Sequence, residues 1–222
     1  MLPKLNLQRQ SSLIPDVSHV AATIVGCGAI GSHVAEVLAK IGIGTLVLYD
    51  DDSVESHNLP NQGFLLGDLG KNKAFAVGEK LTNGCGTACE VITAKYTGAT
   101  GFKTPIVIAA VDTMSARKMI FESFLNSPEA RILVDCRMAA RFGKVFFVSK
   151  DRPQTIIDYG NTLHTDAETV QEPCTARSTI FCAYGLAALV GSCLASEFRD
   201  EEVRFITEID YIARVCITLS TL

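Results

Sequence analysis

A glycine-rich turn carries the first residues whose types and spacing suggest chemistry. Gly26, Gly28 and Gly31 form a G-x-G-x-x-G pattern, "GCGAIG", between a short apolar run and a stretch of helical periodicity. Such a turn lets the backbone pass close to phosphates, and the helix that follows offers unpaired N–H groups and the positive end of its dipole. We therefore expect a nucleotide site at the turn residues Gly26, Gly28, Ala29, Ile30 and Gly31. The alternative is a tight strand–helix turn that packs only on itself.

The segment after the second predicted strand carries polar side chains that a triphosphate would use. Asp50 ends that strand, where a carboxylate accepts hydrogen bonds from ribose hydroxyls, and Asp52 follows two residues later. Asn58 and Gln62 carry amides that donate to phosphate or ribose oxygens, and Lys73 adds a positive charge. The turn alone does not identify the nucleotide. An NAD-dependent oxidoreductase is an alternative to an ATP-dependent enzyme, although it has no particular use for these amides and this lysine.

A further carboxylate, Asp112, follows the apolar run "IVIAAV", which is typical of a buried strand. In parallel sheets the carboxyl ends of the strands meet at the edge where ligands bind. Carboxylate oxygens are the protein ligands that Mg²⁺ prefers. We therefore expect Asp112 to hold Mg²⁺ beside the phosphates.

The elements that must position these residues alternate between strands and helices. Predicted strands cover residues 20–25, 45–49, 89–96, 105–112, 131–138 and 143–149, the last one antiparallel. Predicted helices cover residues 30–41, 73–81 and 115–127. This alternation predicts an α/β fold with a Rossmann-like, doubly wound, mostly parallel sheet and an antiparallel C-terminal extension, in a single domain.

The organisation of the chain follows from these elements. Residues 1–19 are expected to form an N-terminal arm with a short helix, and residues 20–149 the nucleotide-binding core. Residues 150–178 are polar and lack a sustained period, which predicts a long crossover loop. Residues 179–222 supply an apolar helix and closing strands. That helix is apolar on all sides, which favours a buried or dimer-facing helix over a membrane span.

Charge and cysteine content bound the function. A net charge of −4 and a pI near 5.6 argue against binding to a phosphate backbone of nucleic acid. The sequence shows no apolar leader, so its eight cysteines predict reduced thiols and a cytoplasmic location. There is no Cys-x-x-Cys pair, and the single Cys85-x₃-Cys89 spacing is a weak metal signal, so we expect no zinc.

The combined motifs, more than any one of them, resemble the ThiF/MoeB/HesA family of adenylyltransferases, relatives of the ubiquitin-activating enzymes. The family pattern is a G-x-G-x-x-G turn, an Asp-x-Asp ending strand two, N-L-x-R-Q, G-x-x-K-A and a later Asp before a helix. The corresponding positions, in order, are 26–31, 50–52, 58–62, 70–74 and Asp112. The resemblance is strong over residues 20–120, weaker to about 197, and includes Arg9-Gln10, which is similar to the family's N-terminal arm.

The resemblance implies an activity and its site residues. The family uses ATP and Mg²⁺ to adenylate a C-terminal carboxylate, typically the Gly-Gly end of a small β-grasp (ubiquitin-like or sulfur-carrier) protein, or of a peptide, and it favours a homodimer. Carried over by position, the three glycines shape the nucleotide loop and Asp50 binds the ribose. Asn58 and Lys73 contact the phosphates, and Asp112 serves the metal. Neither nucleic acid nor a membrane is implied.

The sequence departs from the family pattern at Asn61, where the family has arginine. A neutral amide supplies neither the charge nor the bidentate fork of a guanidinium at a transferring phosphate. Arg9, from the same chain or from a dimer partner, is the first candidate to replace it. The alternatives are a slower but active site, and a nucleotide-binding partner subunit without chemistry of its own.

The polar segment before the apolar helix contains Cys174, in "EPCTARST". A cysteine near Arg177 can have a lowered pKa and act as a nucleophile. The segment resembles the thioester motif of the ubiquitin-activating enzymes, which implies a covalent role as thioester or persulfide; the alternative is an ordinary loop thiol. Cys27 is expected to serve packing. The same is expected of four cysteines in apolar runs, Cys136, Cys182, Cys193 and Cys216.

Overall fold

One mixed sheet forms the centre of the molecule, in a computed structural model that describes residues 5–164 and 178–221. Its strands there are β1 (Ala21–Val25), β2 (Thr45–Tyr49), β3 (Ala88–Ile92), β4 (Ile106–Ala109), β5 (Ile132–Met138), β6 (Phe142–Ser149), β7 (Ile206–Asp210) and β8 (Val215–Leu219). The α-helices are α1 (Gly31–Ile41), α2 (Lys73–Cys85), α3 (Met114–Asn126), α4 (Pro153–Asn161) and α5 (Ile180–Glu197).

The strand order is β3-β2-β1-β4-β5-β6-β7-β8. The first five strands pair in parallel, and β6, β7 and β8 extend the sheet by antiparallel pairing. The order reverses between β1 and β4, and a reversal of this kind opens a crevice at the carboxyl ends of the two strands. The expected Rossmann-like α/β fold with an antiparallel C-terminal extension is therefore confirmed.

Two apolar clusters pack on the two sides of the sheet. One unites residues of α1, α2 and α5, such as Leu38, Val77 and Leu186, with strand residues that include Ile24 and Leu48. The other contains α3 and α4 residues such as Phe124 and Tyr159, with Val107, Leu133 and Phe146 from the sheet. Burial on both faces explains why the parallel strands are continuous apolar runs in the sequence.

Local signals set the bounds of the helices around the sheet. Gly42 and Gly86 end α1 and α2 in the left-handed conformation, at φ 100° and 68°. Asn72 and Thr113 cap the N-termini of α2 and α3 by accepting hydrogen bonds from the backbone three residues on. Both capped helices begin at the carboxyl edge of the sheet, next to the expected ligand crevice.

Two expectations for the C-terminal half are wrong. The segment 150–178 is not a loop throughout, because α4 begins at Pro153 and packs the fully buried Tyr159 under β6. Proline suits the first turn of a helix, and this signal outweighed the polar composition. The second wrong expectation concerns Cys216. Residues 202–219 supply two closing strands as expected, β7 and β8, but the outer strand β8 is exposed along its whole length. Cys216 is therefore an exposed thiol on an edge strand and not a core residue.

The apolar helix α5 packs mainly against α1 and β6. By length and composition it is a helix that could cross a membrane, with a mean hydropathy of 1.5 over its 18 residues. However, 44% of that window is already buried inside the protein. A single helix of this kind is weak evidence for a membrane span, because an apolar core helix passes the same test.

Candidate functional site

The glycine turn joins β1 to α1 at the reversal point of the strand order. Gly26 has φ 93° and donates its N–H to Tyr49 O at 2.9 Å. A Cβ at Gly26 would lie 2.5 Å from Ala110 O, and one at Gly31 would lie 1.8 Å from Gly26 O. These two glycines are therefore required by the close packing of β1, β4 and α1.

Gly28 differs from its two neighbours in the motif. A Cβ there would meet only Gln62 Oε1, at 4.0 Å, among the described residues. The N–H groups of Gly28, Ala29 and Ile30 enter no hydrogen bond within the same part of the chain. Free amides at the start of an 11-residue helix attract an anion through their N–H groups and the helix dipole. The turn therefore leaves open space and donors where a phosphate fits.

Asp50 spans the turn from the end of β2. Its carboxylate accepts the N–H of Cys27 at 2.6 Å and that of Asp52 at 2.9 Å. Burial raises the pKa of Asp50 above its ordinary value, although both N–H groups oppose the shift. The hydrogen bonds fix the orientation of the carboxylate beside the turn, and each oxygen keeps a lone pair that a ribose hydroxyl can use. Cys27 is buried, as expected for a packing residue.

Lys73, the first residue of α2, brings a positive charge to the same edge. Its side chain is 10% exposed, and Nζ lies 2.8 Å from Asp52 Oδ2. Asn72 holds this helix end in place, because its Nδ2 donates to Asp50 O at 2.9 Å and to Asp52 O at 3.1 Å. Asn72 was not among the predicted site residues, although an Asn directly before a helical period is a capping signal.

The segment after β2 folds back against the start of α1. Asn58 is buried and accepts the N–H of Glu55 at 2.9 Å, which leaves its amide NH₂ as the group that can face a ligand. Asn61 donates from Nδ2 to Ser178 Oγ, so it connects this segment to the residues that precede α5. Asn61 Oδ1 and Gln62 Oε1 are buried and have no partner among the described residues.

Asp112 is exposed and lies between β4 and α3, on the other side of the reversal point from the glycine turn. A carboxylate in this position suits Mg²⁺, which prefers oxygen ligands and keeps several waters. The three carboxylates Asp50, Asp51 and Asp52 also come within 4.8 Å of one another. They fit a metal less well, because Asp50 accepts two N–H groups and Asp52 pairs with Lys73.

A buried ionic network supports the segment that carries Asp112. Asp135 on β5 is fully buried and pairs with Arg117 of α3 and with Arg137, at 2.7 Å for the latter. Arg117 also donates to Val111 O, and Arg137 donates to Thr162 at the end of α4. The network therefore joins the carboxyl ends of β4 and β5 to two helices. No sequence pattern predicted it, because its members are far apart along the chain.

One expected site residue, Arg9, is not brought to this edge within one chain. Arg9 lies in a short 3₁₀ turn beside the C-terminal end of α1, where the neighbouring Gln10 donates to Lys40 O at 2.6 Å. An 11-residue helix is about 16 Å long, so Arg9 is a helix length away from its own glycine turn. Cys174 lies outside the described residues.

An open cavity of about 730 Å³ lies at the opposite edge of the sheet, between the loop before β4 and the end of α3. Its lining includes Thr100, Lys103, Asn126 and Glu129, and none of the expected nucleotide residues. We therefore take the crevice above the glycine turn, at the reversal point of the strand order, as the candidate site.

Comparison with known proteins places this geometry in a family. The ThiF family model matches residues 8–198. The chain is 40% identical over 68 residues to ubiquitin-like modifier-activating enzyme 5 of Dictyostelium discoideum, which covers 31% of this chain and 18% of that protein. It is 41% identical over 83 residues to adenylyltransferase and sulfurtransferase MOCS3 of Xenopus laevis, covering 36% and 17%.

Solved structures share the fold. E. coli MccB with ATP matches with a TM-score of 0.75 and 18% identity, covering 92% of this chain and 64% of that one. PaaA matches with a TM-score of 0.70 and 16% identity, covering 90% and 64%. The chain thus spans less than two thirds of these structures and less than a fifth of the two curated relatives. Since the family model matches most of its length, the chain belongs to the ThiF family.

Proposed function

We propose that this chain is an ATP-dependent adenylyltransferase that activates a C-terminal carboxylate. The observation that carries the proposal is the glycine turn, where Gly28 is open and three N–H groups at the start of α1 make no hydrogen bond to residues 5–164 or 178–221. Asp50, Lys73 and Asp112 lie around it at the reversal point of the sheet. Family membership supports the same reaction type.

In the proposed reaction, an oxygen of the acceptor carboxylate attacks the α-phosphorus of ATP. The bond between the α-phosphorus and the bridging oxygen to the β-phosphate breaks, and pyrophosphate leaves with that electron pair. The product is an acyl-adenylate. Because no proton has to be abstracted from a carboxylate, the protein contributes mainly positioning and electrostatic stabilisation.

The residues at the carboxyl edge divide this work. The free amides of the glycine turn and the Lys73 ammonium bind phosphate oxygens, and Asp50 orients the ribose. Lys73 exchanges part of its pairing with Asp52 for the phosphates. Asp112 would hold Mg²⁺, which supplies charge neutralisation at the phosphates when bound. Asn58 and Gln62 direct amide groups to the nucleotide.

An NAD-dependent oxidoreductase uses the same glycine turn, but the lysine and the amide segment have no place in it. A nucleotide-binding subunit without its own chemistry is the second candidate, because Asn61 adds no charge and its amide is tied to Ser178. Binding of Mg-ATP distinguishes the proposed enzyme from an NAD-dependent oxidoreductase. Pyrophosphate exchange distinguishes it from a nucleotide-binding subunit without its own chemistry.

The proposed acceptor is a small β-grasp protein, ubiquitin-like or sulfur-carrying, or a peptide with a C-terminal glycine. Two relatives are named for this chemistry, ubiquitin-like modifier-activating enzyme 5 and adenylyltransferase and sulfurtransferase MOCS3. The structure of MccB has been solved with the peptide MccA. We place the protein in the cytoplasm, and this location is part of the proposal.

A homodimer is also part of the proposal. The α5 residues Phe181 and Tyr184 are 48% and 54% exposed, and this apolar helix is uncharged until Glu197. Arg9 sits a helix length from its own turn, so it would serve the site of the partner copy. Mixing inactive Arg9→Ala with inactive Lys73→Ala protein tests this: recovered activity supports exchange between copies, and no recovery from a mixed dimer contradicts it.

Pyrophosphate exchange tests the adenylation. The protein, Mg-ATP, labelled pyrophosphate and an acceptor ending in glycine should return label to ATP. The matched control is the same acceptor with a C-terminal amide, which has no carboxylate to attack. Exchange with the amidated acceptor, or a chain that does not bind Mg-ATP, contradicts the proposal.

Covalent transfer through Cys174 is a further part of the proposal. Its thiolate would attack the acyl carbonyl of the adenylate, release AMP and form a thioester. Cys174→Ala should leave exchange unchanged and abolish the covalent intermediate seen by mass spectrometry. Cys216→Ala, at an exposed thiol on β8, is the control and should change neither. An intermediate that survives Cys174→Ala shows that the thiol has no covalent role.

A further inference from the structure

His33 is a buried histidine that the reaction described above does not use. It is the third residue of α1 and is 2% exposed. Neither ring nitrogen has a hydrogen-bond partner among the described residues. Buried polar atoms are normally paired, so two unpaired nitrogens on one side chain require an explanation.

The segment Asn61–Gly63 lies directly against this imidazole. A Cβ at Gly63 would be 3.2 Å from Ser32 and 3.6 Å from His33 Cε1, and Gly63 N donates to Ser32 Oγ at 2.9 Å. The same segment carries two further unpaired, buried atoms, Asn61 Oδ1 and Gln62 Oε1. Gln62 Oε1 is also the atom nearest to the open side of Gly28.

The two unpaired side-chain atoms of segment 61–63 are acceptors. A neutral imidazole has one N–H donor, whereas an imidazolium has two. The two amide oxygens therefore match the doubly protonated ring better than the neutral one. An amide whose oxygen is bound to His33 turns its NH₂ away from the ring.

Burial, followed by the charge of Lys80 on α2, lowers the pKa of His33 below the ordinary value, which favours the neutral ring at pH 7. Glu36 on α1 raises the pKa, and so does the main chain of Asn61, an acceptor that lies near the ring without meeting hydrogen-bond geometry. Glu36 is itself paired with Lys40 and Lys80, at 2.7 and 2.6 Å. From α5 the ring meets Tyr184, with ring centroids 4.1 Å apart.

We propose that His33 is a positioning residue that holds segment 61–63 over the glycine turn and takes up a proton when a polyphosphate anion binds there. The inference rests on the proposed function, in which that anion is the triphosphate of ATP. Solvent supplies the proton, and the ring nitrogen that lacks one accepts it. The negative charge of the anion offsets the effect of Lys80 and of burial, so binding and protonation favour each other.

Calorimetry in buffers of different ionisation enthalpy counts the protons taken up on binding. Mg-ATP and inorganic tripolyphosphate are the probes, and wild type is compared with His33→Asn, which keeps a polar side chain but cannot titrate. The ligands titrate in the same pH range, so the readout is the difference between the two proteins. Wild type should take up a larger fraction of a proton, and its affinity should rise about three- to tenfold more from pH 8 to pH 6.

Two controls make the outcome specific. His19→Asn changes an exposed histidine outside the site and should titrate like wild type. If His33→Asn does not fold, NMR titration of the His33 ring in the wild type should show its pKa rising when tripolyphosphate is added.

Equal proton uptake by wild type and His33→Asn overturns the inference, and so does a His33 resonance that does not respond to the anion. The proposed function stands in either case as long as the protein binds Mg-ATP. Proton-linked binding of tripolyphosphate without binding of Mg-ATP keeps the inference and overturns the proposed function. If the wild type binds neither probe, both are overturned.

Discussion

The two halves of the sheet are built by different means. From β1 to β4 the crevice is made of main chain: a close-packed glycine turn, free amides at a helix start, and a carboxylate that binds two N–H groups. From α3 to β8 the structure depends on side chains distant in sequence, such as Asp135 with Arg117 and Arg137. The first half ends at an edge suited to an anion, and the second ends in an exposed hairpin.

This difference indicates which part of the sequence the bound ligand constrains. Phosphates are the same in every ATP, so the elements that bind them recur as short motifs of fixed spacing. An acceptor differs from one activating enzyme to the next, and the surfaces that receive it have no fixed spacing. Mutations in the first half should therefore separate binding from folding, whereas those in the second should act mainly on stability.

The largest effect is expected at Gly31. Gly31→Ala places a Cβ 1.8 Å from Gly26 O, which neither backbone can accommodate without shifting, so the free energy of unfolding should fall by more than about 4 kcal/mol. Gly28→Ala has no such contact, so its stability should stay within about 0.5 kcal/mol of wild type while affinity for Mg-ATP falls at least about tenfold. Urea denaturation and calorimetry check both. Equal losses of stability would remove the distinction between packing and binding glycines.

Asp112→Ala comes next. Removing the proposed Mg²⁺ ligand should lower pyrophosphate exchange about 10³-fold, with a melting temperature close to wild type because the residue is exposed. Glu122→Gln, at an exposed carboxylate along α3, is the control and should keep full exchange. Retained exchange in Asp112→Ala would assign the metal elsewhere.

In the second half, Asp135→Asn should cost about 3 kcal/mol of stability, because it leaves the buried guanidinium of Arg117 and the partly buried one of Arg137 without their charge partner. Asp151→Asn removes the exposed pair with Arg131 and should cost about 0.5 kcal/mol or less. Chemical denaturation measures both. A similar small loss in the two variants would contradict a structural role for the network.

The smallest effect concerns acid stability at Glu36. Burial raises the pKa of Glu36, but hydrogen bonds from Lys40 and Lys80 outweigh it and lower the pKa from 4.5 to about 2. The stabilisation is therefore present above pH 4.5 and is lost as the pH falls towards 2. Because these lysines are exposed, Glu36→Gln should cost only about 0.5–1 kcal/mol at pH 7 and nothing near pH 2. A pH-independent difference would show that packing is responsible.

Sequence patterns predicted the first half of the sheet, from β1 to β4, well because its sequence signals are local. The apolar runs of β1, β2 and β4, the glycine turn and the carboxylates at strand ends all lie where the spacing indicated. The C-terminal half was harder to predict from sequence. In helix α4 the apolar residues lie among polar ones, and Asp135 pairs with Arg117, which is 18 residues away along the chain. No sequence pattern pointed to His33. Its ring is buried without hydrogen-bond partners among the described residues, and this burial depends on segment 61–63 folding back on α1.

The proposed function requires that the crevice at the reversal point bind a triphosphate. Calorimetry of the purified chain with Mg-ATP and, separately, with NAD tests it most directly. We predict binding of Mg-ATP that Gly28→Ala weakens, and no heat of binding with NAD. Binding of NAD without binding of Mg-ATP would contradict the proposed triphosphate site and the adenylation that depends on it.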